Sequence, residues 1–326
     1  MKRYLITGGA GTIGSALTKK LLKDGNQVCV FDNSEDALFR LKQQLHEYEN
    51  VRFFVGDVRD VTRLNMAMNG VDIVFHAAAL KHVELSEYNV LEAISINVDG
   101  TKNIVTSCLN SPSVKKAIFT SSDKAVNPTS TMGTTKLMGE KIFTSSNNLV
   151  GNRDLHFSSV RFGNVLKSNG SVLKIFKEAL ENNKPYPITD IRMTRFFLTL
   201  EESINLCEYA ALNSIGGEIF VRSMGAASIL SLAKAFNKSE DIRYKEIGSK
   251  PGEKLYEELV TEIESMRTVF LDGHYIILPE DSTIEKKSLI DSLNNKYINQ
   301  VKTNSPLDSR QETLDWVQLQ NIISSS

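Results

Sequence analysis

The sequence predicts an α/β fold, a doubly wound parallel sheet with helices on both faces and a smaller C-terminal unit. Two observations carry this. Short, fully apolar runs alternate with amphipathic helical stretches through the first half of the chain, the pattern of strands buried on both faces. A glycine cluster stands between the first such run and the first helical stretch, where a doubly wound fold turns from strand to helix.

The elements follow in order. "RYLITG" is the first strand and "SALTKKLLKDG" the first helix; "QVCVFD", "SEDALFRLKQQLHEY" and "VRFFVGD" repeat the alternation. A short helix ends at Gly70, "VDIVFHAA" is a strand, and one long helix is expected from about Tyr88 to Asn110. "VKKAIFTSS", a helix carrying Met132 and Lys136, and "LHFSSVRFG" complete the regular part. After Gly163 the regularity breaks: "ENNKPYPITD" is a loop, "EIFVRSM" a late strand, and "IRYKEIGSKPGEKLYEELV" mixes strand, turn and helix. The expected division is a Rossmann-type nucleotide domain over 1–165, with a later return near 190–225, and a mainly substrate-binding domain over 166–326.

The chain has 326 residues, 41% hydrophobic and 24% charged, with a net charge of -1. No basic field favours nucleic acid or anionic membrane, so neither is an expected partner. Cys29, Cys108 and Cys207 lie far apart, and five scattered histidines form no ligand pair; neither a disulfide framework nor a metal site is expected. No apolar stretch is long enough for a membrane span, and the expected location is the cytoplasm.

Gly8, Gly11 and Gly14 open the first helix with Thr12 and Ile13 between them. Such a loop lets the backbone approach a pyrophosphate at a helix N-terminus. Asp32 ends the second strand, with Asn33 and Ser34 after it and no basic residue immediately following. A carboxylate there accepts the ribose hydroxyls of NAD and repels the 2′-phosphate of NADP, so NAD is the expected cofactor rather than NADP. The alternative, that Asp32-Asn33-Ser34 caps the next helix, is compatible with this. Asp57 and Val58 at the third strand end, and Ala77, Ala78 and Ala79 at the fourth, are expected beside the cofactor. His76 reads as a packed strand-end residue.

Met132 and Lys136 sit four apart, like a Tyr-x-x-x-Lys dehydrogenase pair whose tyrosine is methionine. Methionine cannot exchange a proton. The glycine pattern, "HAAA", "NVDGTKN" and the serine and lysine arrangement resemble an extended short-chain dehydrogenase/reductase. "HAAALKHVELSEYN", "SSDKAVNP", "RFGNVLKSNGSV", "PITDIRMTRFF" and "KPGEKLYEEL" further resemble the CapD-like polysaccharide-biosynthesis group, which includes the UDP-N-acetylglucosamine 4,6-dehydratases. This likeness runs from Met1 to about Glu264.

The resemblance implies a nucleotide-sugar substrate, UDP-linked first and GDP-linked as the other possibility. It implies oxidation at C4, loss of water across C5–C6 and hydride return to C6, giving a 4-keto-6-deoxy sugar for bacterial glycan or nonulosonic acid synthesis. In that scheme Asp123 is the acid and Lys124 the base, in a desolvated pocket that lowers the lysine and raises the aspartate. Ser122 holds the sugar near O4, and Lys136 holds the nicotinamide ribose. Val165 touches the nicotinamide. Lys81, Asn164, Thr189, Arg192, Arg195 and Glu253 hold the substrate. Lys250 stands where many relatives carry arginine before "PGEK", which leaves UDP or GDP open. A homo-oligomer is also implied. Two other readings remain: an NAD-dependent C4-epimerase, and a catalytically inactive NAD-binding protein.

Overall fold

Runs rich in β-branched and aromatic residues make the strands of the first half, buried on both sides except in the partly exposed third strand, Val51–Val55, at the sheet edge. The computed structural model describes residues 1–166, 171–280 and 283–325; the "KSNG" part of the "RFGNVLKSNGSV" motif lies outside them. The first six strands are β1 (Arg3–Thr7), β2 (Gln27–Asp32), β3 (Val51–Val55), β4 (Ile73–His76), β5 (Lys116–Ser122) and β6 (His156–Phe162). Between them run α1 (Thr12–Lys23), α2 (Glu35–Gln44), α3 (Val61–Ala67), α4 (Val83–Tyr88), α5 (Val90–Ile94), α6 (Gly100–Asn110) and α7 (Thr131–Ser146). Side-chain caps set several starts: Ser34 accepts from the Ala37 N–H, Asp60 from Arg63 and Ser130 from Gly133. Each satisfies an N–H that the first helical turn leaves without an internal partner.

The chain continues through β7 (Asn164–Val165), β8 (Tyr186–Ile188), β9 (Thr194–Leu198), β10 (Ile219–Arg222), β11 (Ala226–Ser228), β12 (Tyr244–Glu246) and β13 (Glu258–Val260). It ends with β14 (Thr268–Leu271), β15 (His274–Ile277), β16 (Val301–Lys302) and β17 (Leu307–Asp308). The main sheet runs β3-β2-β1-β4-β5-β6-β10, all parallel, and continues antiparallel through β15, β14 and β16. Order reverses between β1 and β4, so a crevice opens at their carboxyl ends, where doubly wound sheets bind ligands.

Successive strand residues feed opposite cores. Ile6, Val30 and Phe75 join Leu17, Leu38 and Cys207 on one face; Leu5, Phe31 and Val74 join Leu64, Ile104 and Phe143 on the other. A third core around Phe176, Tyr186, Leu232 and Leu319 belongs to the smaller unit.

Two features differ from the sequence expectation. The long helix from Tyr88 to Asn110 is broken: α4 and α5 precede a π-helical turn over Ser95–Asp99, after which α6 begins. The wide turn places Asn97, whose side chain bonds Leu80 and Thr135; such bulges mark functional positions. Strands from residues 268–302 extend the main sheet, although the sequence reading put them in the substrate unit. The Asp272-Gly273 turn, with φ of 51° and 76°, closes the β14–β15 hairpin.

Candidate active site

The glycine loop is shaped by its own close contacts. Gly8 has a φ of 64°, and a Cβ there would lie 2.6 Å from the backbone nitrogen of Ala78. A Cβ at Gly14 would stand 2.3 Å from the Gly8 carbonyl oxygen. Loop, α1 and the end of β4 therefore close together only with glycine at both positions. At Gly11 a Cβ would meet only the Gly8 oxygen, at 3.2 Å, so the cavity floor stays open there.

No side chain caps α1 and no acid stands in its first turn. Its N-terminus faces a cavity of about 680 Å³ lined by Gly8, Gly11, Thr12, Ile13 and Gly14. Those features fit a dinucleotide pyrophosphate. Asp32 Oδ2 accepts from the Ala10 N–H at 3.0 Å and Oδ1 from the Ser34 N–H at 3.0 Å. This fixes the carboxylate at the cavity edge, beside Asn33, where ribose hydroxyls would be held. Ser34 does not line the cavity; its hydroxyl caps α2. Asp57 and Val58 line the far end, and the hydrogen-bonded Arg59 guanidinium holds Asp57 below the usual carboxylate range.

The end of β4 supplies Ala77, Ala78, Ala79 and Lys81 to the wall. Burial lowers Lys81 from its ordinary value. His76 sits behind them, its ring nitrogens 2.7 Å from Thr7 Oγ1 and 3.1 Å from Thr101 Oγ1. Burial, with Lys136 nearby, takes it down to about 3, so it is neutral and structural.

β5 delivers the chemistry. Ser122 Oγ donates to Asp123 Oδ1 at 2.8 Å, and Lys124 Nζ donates to the same oxygen at 3.0 Å. Lys124 Nζ also reaches Asn164 Oδ1 at 3.4 Å. Ser122, Lys124, Asn164 and Val165 line the cavity; Asp123 lies just behind, fully buried, with Oδ2 unpartnered. The expected downward shift of Lys124 is not found. Burial pulls it down, but Asp123 and Glu257 outweigh burial and hold it above its ordinary value. The sequence motif shows Asp123; it does not show that Glu257, far along the chain, closes on the same amine.

On α7, Met132 and Lys136 line the cavity one turn apart. Lys136 donates to the Thr120 carbonyl at 2.8 Å and lies 4.7 Å from the Phe119 ring centre. Burial brings its amine down to about 8, with Glu140 opposing.

The remaining substrate candidates are not gathered here. Thr189, Arg192, Arg195 and Glu253 do not line the cavity. Arg192 is 73% exposed and forked onto Asp190. Arg195 is buried, donating to the Thr194 and Lys254 carbonyls at 2.7 and 2.9 Å. Glu253 accepts from the Lys250 N–H at 3.2 Å within its own turn. Two residues near the chemistry had no sequence assignment. Asn97 stood inside the quoted "NVDGTKN", and Glu257 inside "KPGEKLYEEL", where only the earlier glutamate drew notice.

The reversed strand order, the glycine loop, Asp32 and the α7 lysine define an extended short-chain dehydrogenase/reductase fold. The chain belongs to the polysaccharide biosynthesis protein family, which it matches over residues 4–279. It is 39% identical over 290 residues to a UDP-N-acetylglucosamine 4,6-dehydratase (inverting) of Campylobacter jejuni, covering 88% of this chain and 86% of that one. A UDP-glucose 4-epimerase of Rickettsia rickettsii is 36% identical over 285 residues, covering 85% and 82%. Among solved structures, Pen from Bacillus thuringiensis superposes with a TM-score of 0.89 at 35% identity, covering 100% of this chain and 98% of that one. Among the described residues, no helix is long and apolar enough to cross a membrane.

Proposed function

We propose that this chain is a nucleotide-sugar 4,6-dehydratase working with tightly held NAD(H) on UDP-N-acetylglucosamine. The observation that carries the reading is the Asp123–Lys124 pair beside the glycine-loop cavity, an acid and a base in contact where a dehydrogenase needs neither. The glycine loop and Asp32 favour NAD over NADP. When bound, the nicotinamide would supply a hydride sink at C4 and a hydride source at C6.

The pair carries one transferable proton. At rest it sits on Lys124, 3.0 Å from Asp123 Oδ1. Passing it to Asp123 leaves a free amine able to remove the C5 proton and a carboxylic acid able to protonate the departing C6 hydroxyl. Water leaves, and the pair is restored when it has exchanged both protons. Ser122 would hold the sugar near O4. Met132 cannot accept the C4 hydroxyl proton; Lys136, already near neutrality, is the candidate in the same wall. Lys81 and Asn164 would hold the sugar diphosphate. Arg192, Arg195, Thr189 and Glu253 belong to the substrate set only if the smaller unit rearranges, with Arg192 leaving Asp190. The reading includes a homo-oligomer, which the exposed Tyr88 and Leu91 (89% and 82%) support.

An epimerase is the second reading, favoured by the Rickettsia relative. Incubating the purified protein in D2O with UDP- and GDP-N-acetylglucosamine separates the two. Loss of one water with deuterium at C5 is expected from the UDP sugar; an unchanged mass with inverted C4 would replace the dehydratase by the epimerase. Asp123→Asn and Lys124→Ala should each slow water loss by roughly 10²–10⁴-fold while NAD stays bound. Turnover near the unmodified rate in both would sink the mechanism.

A further inference from the structure

Glu257 is a buried carboxylate with cations on several sides. Its side chain is 2% exposed; Oε1 lies 3.7 Å from Lys124 Nζ and 3.9 Å from Arg195 Nε. Oε2 lies 2.9 Å from Lys254 Nζ, an ion-pair contact without hydrogen-bond alignment. A carboxylate removed from water in this way persists only where neighbouring cations offset its desolvation. Lys124 is therefore held between two carboxylates, Asp123 on one side and Glu257 on the other.

The segment carrying Glu257 is fastened along the Asp123–Lys124 turn. Lys254 donates to the Val126 carbonyl at 2.8 Å, Asn127 to Glu258 at 2.7 Å, and Thr129 Oγ1 to the Gly252 carbonyl at 3.1 Å. From behind, the Glu257 N–H donates to Ser309 Oγ at 2.9 Å and Ser309 returns its own N–H to the Glu257 carbonyl at 2.9 Å. Glu257 is thus fixed against Lys124 by parts of the chain that touch the turn and by parts that do not.

We propose that Glu257 is a positioning residue for Lys124, aiming its ammonium between Asp123 and Asn164 and keeping it charged until the proton passes to Asp123. The consequence for turnover rests on the dehydratase reading; the effect on the Lys124 amine does not. The groups facing that amine are Asp123 in its own turn, Asn164 on β7 and Glu257 from the fastened segment, with Arg195 on β9 and Lys254 as the further cations on the Glu257 carboxylate. Removing the Glu257 charge leaves one carboxylate against two other cations, so Lys124 must release its proton more readily.

Trace acetic-anhydride labelling of the full chain across alkaline pH, read at Lys124 by peptide mass spectrometry, tests this directly. Glu257→Gln should move the half-labelling pH of Lys124 down by about one unit, and Glu257→Asp should bring it back toward the unmodified protein. An unmoved midpoint in Glu257→Gln overturns the proposal. If that variant does not fold, Lys254→Met carries the test: losing the cation that shares the carboxylate should move the midpoint up, and no movement overturns it. In the same proteins the alkaline limb of water elimination should follow the midpoint. A shifted midpoint in a protein that eliminates no water would leave Glu257 in place and remove the dehydratase reading alone.

Discussion

At the scale of single residues, two buried groups carry testable pH behaviour. His76 has a folded value of about 3 against an ordinary 6.5, because it is fully buried and the Lys136 charge lies nearby. The unfolded chain binds a proton below 6.5 that the folded chain refuses, so stability falls as pH drops. The loss should be about 2 kcal/mol between pH 6.5 and pH 5. Urea unfolding of His76→Asn beside the unmodified protein checks it: the variant's curve should be flatter over that interval, and equal slopes would count against the buried neutral ring. Lys136 has the same sign in a higher window: the unfolded lysine keeps a proton up to its ordinary 10.5 that the folded one gives up from about 8, so stability falls as pH drops through that interval. Burial lowers it to about 8, so its charge, present below that pH, fades above it. The role of His76 was readable as strand-end packing from "VDIVFHAA" alone. That of Glu257 was not, because its burial depends on Ser309, Arg195 and Lys124, none of which is near it in sequence.

Between elements, α7 is tied to β6 and to the segment after β13 by one arginine. Arg161 is fully buried; it bonds Glu140 at 3.0 and 2.8 Å and Glu264 at 3.1 and 3.0 Å. Burial alone would raise Glu264, but Arg161 overrides it and brings the carboxyl down to about 2. Glu140 lies one turn beyond Lys136, so this triad also seats the cavity lysine. Arg161→Met would strand two carboxylates in the interior and should cost about 3–5 kcal/mol. Arg161→Lys should recover only part of that, since one ammonium cannot fork onto both acids. Thermal unfolding of the two variants would show it, and a loss below 1 kcal/mol in the methionine variant would mean the triad is energetically idle. The helix pattern gave α7 correctly, but nothing local announced an inward-facing arginine on β6, because its two carboxylate partners lie on α7 and after β13, far from it in sequence.

Across the whole molecule, the lining of the cavity and the completion of the sheet come from different stretches of chain. Every residue lining the cavity lies within the first 172, and that part was the more legible, because strand–turn–helix alternation is a local signal. The antiparallel strands β14, β15 and β16 are only two to four residues long, too short for a periodic signal, so the sequence does not announce them. They cover β10, whose Phe220 and Val221 are fully buried. A chain stopped after Ser265 keeps the entire cavity lining but exposes β10 as a bare edge, which invites pairing between molecules. It should be recovered as aggregate by light scattering; a soluble monomer that still binds a nicotinamide dinucleotide would contradict this.

The same arrangement bears on how the protein is made. On the ribosome, the glycine loop, the Asp123–Lys124 turn and α7 all emerge while the strip that finishes their sheet is still being synthesised. The nucleotide half is therefore expected to mature only with that strip, rather than ahead of it as N-terminal domains commonly do. A translational stall or frameshift just after the codon for Ser265 should abolish cofactor binding without altering one residue of the cavity lining.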